Sequence, residues 1–184
     1  LDVSNFDTSN VTDMSNMFSS VGYNNPKFTL NLSNFDTSNV TNMSYMFSGS
    51  GGNSTEYILD LSNFDTSNVT NMSNMFLNAT YNASSFILDL SSFDTTNVTN
   101  MNGMFSSVGR NTNIMSTLDT SHFVYNDLVD VGTMFFCTGY DSTALNVLVS
   151  ITNPKISTYD SIFNAAVKKT GGKITVNYTS ATSS

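Results

Sequence analysis

The stretch Leu30 to Phe47, LNLSNFDTSNVTNMSYMF, recurs nearly letter for letter at residues 1–18, 59–76 and 88–105. Its marker phenylalanines, Phe6, Phe35, Phe64 and Phe93, stand 29 residues apart. A fixed period of this size is the signature of a solenoid, in which each repeat is one coil. An isolated coil would leave its whole apolar edge in water, so the repeats must stack on one another.

Within the unit the apolar period changes. Phe28-Thr29-Leu30-Asn31-Leu32-Ser33 alternates, as do Tyr57–Ser62 and Phe86–Ser91, which is the pattern of a half-buried strand. Val40, Met43, Met46 and Phe47 fall at i, i+3, i+6 and i+7, which predicts one face of a short helix. Phe-Asp-Thr-Ser-Asn between them supplies residues that cap helices and close turns. The expected fold is an α/β repeat solenoid. It would have about six coils of ~29 residues, each a short parallel strand plus a short helix. Stacking would line up Leu1, Leu30, Leu59 and Leu88. It would likewise line up Met17, Met46, Met75 and Met104, a core ladder rather than a soft binding stripe.

The string L-x-L-S-x-F-D-T-S-N-V-T-N-M-S-x-M-F resembles the repeat of the BspA-like leucine-rich-repeat surface proteins of bacteria, and of lipoprotein-associated repeat families. The resemblance is close over residues 1–105 and looser over 118–135. It implies a secreted or wall-attached solenoid, often one segment of a larger adhesin-like protein, and some members are associated with host matrix proteins. The return loops here, such as Ser48–Ile58, are longer and more variable than that family's usual spacing. The motif is structural and carries no catalytic residue with it.

Residues 1–145 read as five coils, 146–179 as a degenerate sixth coil with a C-terminal cap, and 180–184 as a Ser/Thr tail. In the sixth coil Val147 and Val149 supply the strand, Pro154 the turn, and Ile156, Tyr159, Ile162 and Phe163 the expected helical stripe. Lys168–Lys173 reads as a helix end and turn, and Ile174–Tyr178 as a last strand. Charged residues are only 11% of the chain and the net charge is −8, which argues against nucleic acid or an anionic membrane as partner. No apolar run is long enough to span a bilayer. The chain starts in register with its repeat, so further coils or domains of the same polypeptide are expected. Cys137, the sole cysteine, reads as a small buried thiol, and His122, aligned with Ser92, as an exposed position. A Cys–His catalytic pair would lack a third, orienting group.

Three sets of residues bear on function. Asp7, Asp36, Asp65 and Asp94 recur at one place in successive coils and are expected to cap the helices; a row of calcium sites is the alternative. Stacked about 5 Å apart, such carboxylates repel by roughly 3 kcal/mol near a protein surface, so something must offset them. Asp2, Asn31, Asp60, Asp89 and Asp119 form an acidic strand face. A regular row gives each member the same surroundings, unlike the asymmetric carboxylate pair that glycoside hydrolysis needs. The Asn-Val-Thr sequons at Asn10, Asn39, Asn68 and Asn97 read as turn chemistry. The threonine row Thr8, Thr37, Thr66 and Thr95 falls in the turn and not on an ice-binding strand face.

The coils differ in their return loops, 19–28, 48–57, 77–86 and 106–116, which carry Tyr23, Lys27, Tyr81 and Arg110, residue types enriched at binding hot spots. Tyr23, Tyr81 and Arg110 are expected to be exposed on one loop edge, outside any ladder. The functional expectation is a non-enzymatic bacterial cell-surface or secreted module for recognition or adhesion, with an extracellular protein or glycan as partner and no cofactor. The alternatives are a structural spacer of a larger surface protein and an extracellular carbohydrate-active enzyme.

Overall fold

A computed structural model describes residues 1–127, 129–151, 162–167 and 171–178 of the chain. Among the described residues six strands are defined: β1 Lys27–Leu30, β2 Glu56–Asp60, β3 Ser85–Asp89, β4 Ser116–Thr120, β5 Leu145–Ile151 and β6 Lys173–Tyr178. Neighbours pair in parallel at the repeat register, Leu30 with Leu59 and Leu59 with Leu88. Five crossovers carry the chain from β1 to β6. The alternation of the sequence is reproduced, Phe28, Tyr57 and Phe86 pointing inward and Lys27, Ile87 and Asp89 outward.

Among the described residues the helix expected in each of the first five coils is absent, and the fold is a parallel β-solenoid of about five turns instead of an α/β, leucine-rich-repeat solenoid. The reason lies in where the amides go. In the second coil the N–H groups of Met43, Tyr45, Phe47 and Gly49 donate to the carbonyls of Asn71, Ser73, Met75 and Leu77 in the next coil, at 2.7–3.0 Å. The amides in between, those of Met46, Ser48 and Ser50, reach back three residues to Met43, Tyr45 and Phe47, at 3.0–3.2 Å. An α-helix would take every one of these amides for itself. Here every second amide ties one coil to the next. The segment is thus a run of turns whose i, i+3 apolar spacing imitates a helix face.

Positive φ angles keep it from becoming one. Asn16, Tyr45, Asn74 and Gly103 share one left-handed position, at 56–66°. Ser20, Gly49, Asn78, Ser107 and Cys137 share another, at 55–67°. A left-handed residue every few positions breaks any right-handed helix, and Asn and Gly tolerate it best. Gly51 shows a stricter need. Its φ is +55°, and a Cβ there would lie 2.4 Å from the ring of Tyr57.

The core runs down the axis. Phe18, Phe47, Phe76, Phe105 and Phe135 stack at ring-centroid spacings of 5.6 Å, and Phe163 continues the column at 5.2 Å. Phe35, Phe64, Phe93 and Phe123 form a second buried column, and the methionines from Met43 to Met104 are fully enclosed. Cys137 is buried as expected. Val147 and Val149 lie inside β5, and Ile174–Tyr178 falls within β6. The expected features at Pro154, Ile156, Tyr159, Lys168–Thr170 and Ser180–Ser184 lie outside the described residues.

The strand ladder has one interruption. β1–β2–β3 and β4–β5–β6 are separate three-stranded sheets. The fourth coil is one residue longer than its predecessors, Leu88 to Leu118 being 30 residues against 29, and the extra residue falls between Asn113 and Leu118. At the join the amide of Phe86 donates to the Ser116 hydroxyl at 3.1 Å, a side chain standing in for a ladder carbonyl. Ile114 and Met115 are turned out to solvent, at 57% and 65% exposure.

Candidate functional site

Each coil turns its corners by the same device. An Asp or Asn accepts a hydrogen bond at Oδ1 from the amide two residues on, an Asx turn. The aspartates at Asp7, Asp36, Asp65 and Asp94 do this with Ser9, Ser38, Ser67 and Thr96, at 2.9–3.1 Å. With no helix to cap, their role is to close the corner. Asp2, Asn31, Asp60, Asp89 and Asp119 do the same with Ser4, Ser33, Ser62, Ser91 and Ser121. A third row was not foreseen from the sequence: Asp13, Asn42, Asn71, Asn100 and Asp130, which also form single parallel bridges between coils. The signal was present as Asp/Asn-x-Ser/Asn/Gly at the start of each methionine segment.

These bonds answer the repulsion within the aspartate rows. The hydroxyl and the amide of Ser38 hold the carboxyl of Asp36 below the usual range, although Asp7 pushes it up. The hydroxyl and then the amide of Ser67 do so for Asp65, against Asp36 and Asp94. On the strand face Asp60 and Asp89 are both lowered, by Ser62 and Ser91 in turn. The two carboxyls are therefore shifted alike, not apart. Among the described residues no three His, Cys, Asp or Glu side chains are placed to hold a metal ion.

Between the corners, the repeated polar residues are spent on stacking. Thr37 is buried, its hydroxyl donating to the carbonyl of Asp65 at 2.9 Å and accepting from that residue's amide at 2.8 Å. Thr8, Thr66 and Thr95 repeat the arrangement, so the threonine row presents nothing to solvent. The sequon amides of Asn39, Asn68 and Asn97 donate to Ser9, Ser38 and Ser67 carbonyls at 2.8 Å. His122 is exposed and bonded through Nε2 to the Leu90 carbonyl at 3.0 Å, the place Ser92 fills one coil earlier.

The return edge is different. Tyr23, Gly52, Tyr81, Arg110 and Tyr140 occupy one register position on five coils. The amides of Asn53, Asn82, Asn111 and Asp141 fix it by donating to the carbonyls of Tyr23, Gly52, Tyr81 and Arg110, at 2.7–3.2 Å. Tyr23, Tyr81 and Arg110 were expected to lie outside any ladder; they form one, whose rungs differ in chemistry. The guanidinium of Arg110 lies 5.3 Å from the Tyr81 ring centroid and 4.7 Å from that of Tyr140, and its Nε is 3.5 Å from Asp141. Tyr23 is exposed, while Tyr81 and Arg110 are half-buried. Lys27 stands apart at the start of β1, paired with Glu56 on β2 at 3.0 Å. Beside the row, Ser20, Tyr23, Ser48, Gly49, Asn78 and Tyr81 line an open cleft of about 340 Å³.

A stack of near-identical coils with one edge of varying chemistry defines a repeat solenoid module. The chain belongs to the family described as Mycoplasma protein of unknown function, DUF285, which matches residues 1–116 and, in an overlapping second match, 52–170. No curated protein and no solved structure matches it. Two matches that overlap by half a length are what a repeated unit produces. Among the described residues no helix is long and apolar enough to cross a membrane.

Proposed function

We propose that this chain is a non-enzymatic recognition module of a bacterial surface or secreted protein, and that it binds an extracellular protein or glycan through its return edge. The observation that carries the reading is the division of labour between rows. Polar side chains that repeat bond to the next coil or to their own corner, whereas the Tyr23–Tyr140 row carries a different chemistry on nearly every coil. Variable residues on a rigid repeated frame are the usual site of recognition. The resemblance to BspA-like surface repeats supports the location. The like shifts of Asp60 and Asp89 support the absence of hydrolytic chemistry, since acid and base roles need carboxyls pushed apart.

The test is a screen of the folded chain against matrix proteins and glycans, beside a Tyr23→Ser/Tyr81→Ser/Arg110→Ser variant. Binding lost in the variant is the expected result. Binding kept at full strength would move recognition to the Asp2–Asp119 face. No binding by a well-folded sample would favour the spacer, the reading suited to a chain whose repeated side chains nearly all serve stacking.

A further inference from the structure

The return edge has a gap. At the position of Tyr23, Tyr81, Arg110 and Tyr140, the second coil alone has glycine, Gly52. Three residues earlier the same coil has Gly49 where its neighbours carry Ser20 and Asn78. Two side chains are thus missing from one coil: Gly49 lines the cleft beside Ser48, and the space over Gly52 is taken by the ring of Tyr23. Tyr23 leans into the space: its ring carbons would come within 2.6–2.8 Å of a Cβ at Gly52. Tyr81 stands on the coil beyond, held from behind by Arg110.

Of the lining polar side chains Ser48 is engaged, its hydroxyl donating to the Leu77 carbonyl at 3.2 Å; the others are unspent. Elsewhere, asparagine side chains such as Asn34, Asn39, Asn53 and Asn82 bond to neighbouring coils. Among the described residues, the hydroxyls of Ser20, Tyr23 and Tyr81 and the side-chain amide of Asn78 have no such partner. No charged residue lines the cleft. It therefore offers two aromatic rings and several neutral donors and acceptors around a space at the small end of ligand sites, which run from about 300 to 1,000 Å³.

Those features match one ligand chemistry. A pyranose ring has C–H faces that lie against aromatic rings and an equator of hydroxyls that exchange bonds with neutral amides and hydroxyls. A charged ligand would find no counter-charge in the lining, and no strand residue lines the cleft for an extended peptide to pair with. We propose that the Gly49–Gly52 notch binds a single neutral pyranose, the terminal sugar of a glycan, between Tyr23 and Tyr81. The proposal rests on the return-edge reading and gives it a ligand class.

The test uses methyl glycosides of neutral hexoses and N-acetylhexosamines, sialic acid as a charged control, and immobilised oligosaccharides ending in the same sugars. Binding is read by ligand-observed NMR and melting temperature. The blocking variant is Gly49→Asn, since Asn78 holds the same left-handed conformation one coil on and the nearest atom to a Cβ there is Ser20 Oγ at 3.3 Å. Gly52→Tyr acts differently, because its Cβ would lie 2.6–2.8 Å from the Tyr23 ring and would push that ring from its place in the cleft. For a ligand of a dozen heavy atoms the expected dissociation constant is of millimolar order, the immobilised forms binding at least as well through multivalency. Gly49→Asn and Gly52→Tyr should each weaken binding at least tenfold with the fold intact. Binding of free methyl glycosides but not of oligosaccharides would overturn the terminal-glycan assignment. A glycan or protein bound equally by Gly49→Asn and wild type, yet lost in the triple serine variant, would overturn the notch and leave the edge standing. Binding untouched by all variants, binding of sialic acid alone, or no sugar binding by the wild type would overturn the notch outright.

Discussion

The corner rows and the return edge are built on the same 29-residue rail and use it in opposite ways. At the corners Asp36, Asp65 and Asp94 repeat one residue type, and each is engaged by its own Ser or Thr. On the edge Tyr23, Gly52, Tyr81, Arg110 and Tyr140 share a backbone register and little else. Stacking in a solenoid is a nearest-neighbour affair, so a side chain that bonds to the next coil constrains what that coil can carry. A side chain that only overlies its neighbour does not. Identity along a row therefore marks structural use, and variety marks freedom.

The comparison can be broken most forcibly at the core that both rows share. Phe64, 2% exposed in the second phenylalanine column, should lose roughly 3–5 kcal/mol on Phe64→Ala. An unchanged unfolding midpoint in denaturant would mean the column is not what holds the coils. Next comes Thr66→Val, which removes the buried hydroxyl that holds the part-buried amide and carbonyl of Asp94 and should cost about 1–3 kcal/mol. Thr70, exposed and joined to Thr41 by a 3.2 Å bond, is its control, and Thr70→Val should fall within about 0.5 kcal/mol of wild type. Equal losses at the two sites would erase the distinction between repeated buried bonds and repeated surface ones.

Acid sharpens the corner half of the contrast. Because the carboxyls of Asp7, Asp36, Asp65 and Asp94 are lowered on folding, their contribution is complete above the ordinary aspartate value. It is lost as pH falls through the depressed folded values. The melting temperature should hold steady from neutrality to about pH 5 and decline below about pH 4. Asp65→Asn keeps the Asx acceptor, so it should change little at neutral pH and shed part of the acid response. Calcium should not move the midpoint; a rise reversed by a chelator would restore the metal reading of this row. A small effect is expected at the edge itself. Tyr81→Ser removes a half-buried ring and one cation–π contact of about 0.5–1 kcal/mol, and circular dichroism should show the fold unaltered.

The period, the strand register and the phenylalanine and methionine interior were legible because each follows from apolar spacing alone. The turns were not, because Val40, Met43, Met46 and Phe47 present the same inward face whether the chain coils as a helix or as successive turns. The deciding signal was composition. Asn, Ser and Gly recur at positions such as Asn16, Asn74, Gly49 and Asn78, where they adopt left-handed backbone, and they are poor helix formers. The return-edge row was hidden for another reason. The register was not carried through loops whose residues look unrelated, although Tyr23, Tyr81 and Arg110 keep the 29-residue step.

The extra residue in the fourth coil sets how the whole rod responds to bending. On the strand side the ladder stops between β3 and β4. On the opposite side it runs on, with Met101 donating to Asp130 at 2.7 Å and Phe105 stacked on Phe135. One wall is slit and the other continuous, which is the construction of a living hinge. Flexing should open the slit at Phe86–Ser116 first, and amide exchange in β3 should be faster than in β2, which is paired on both sides.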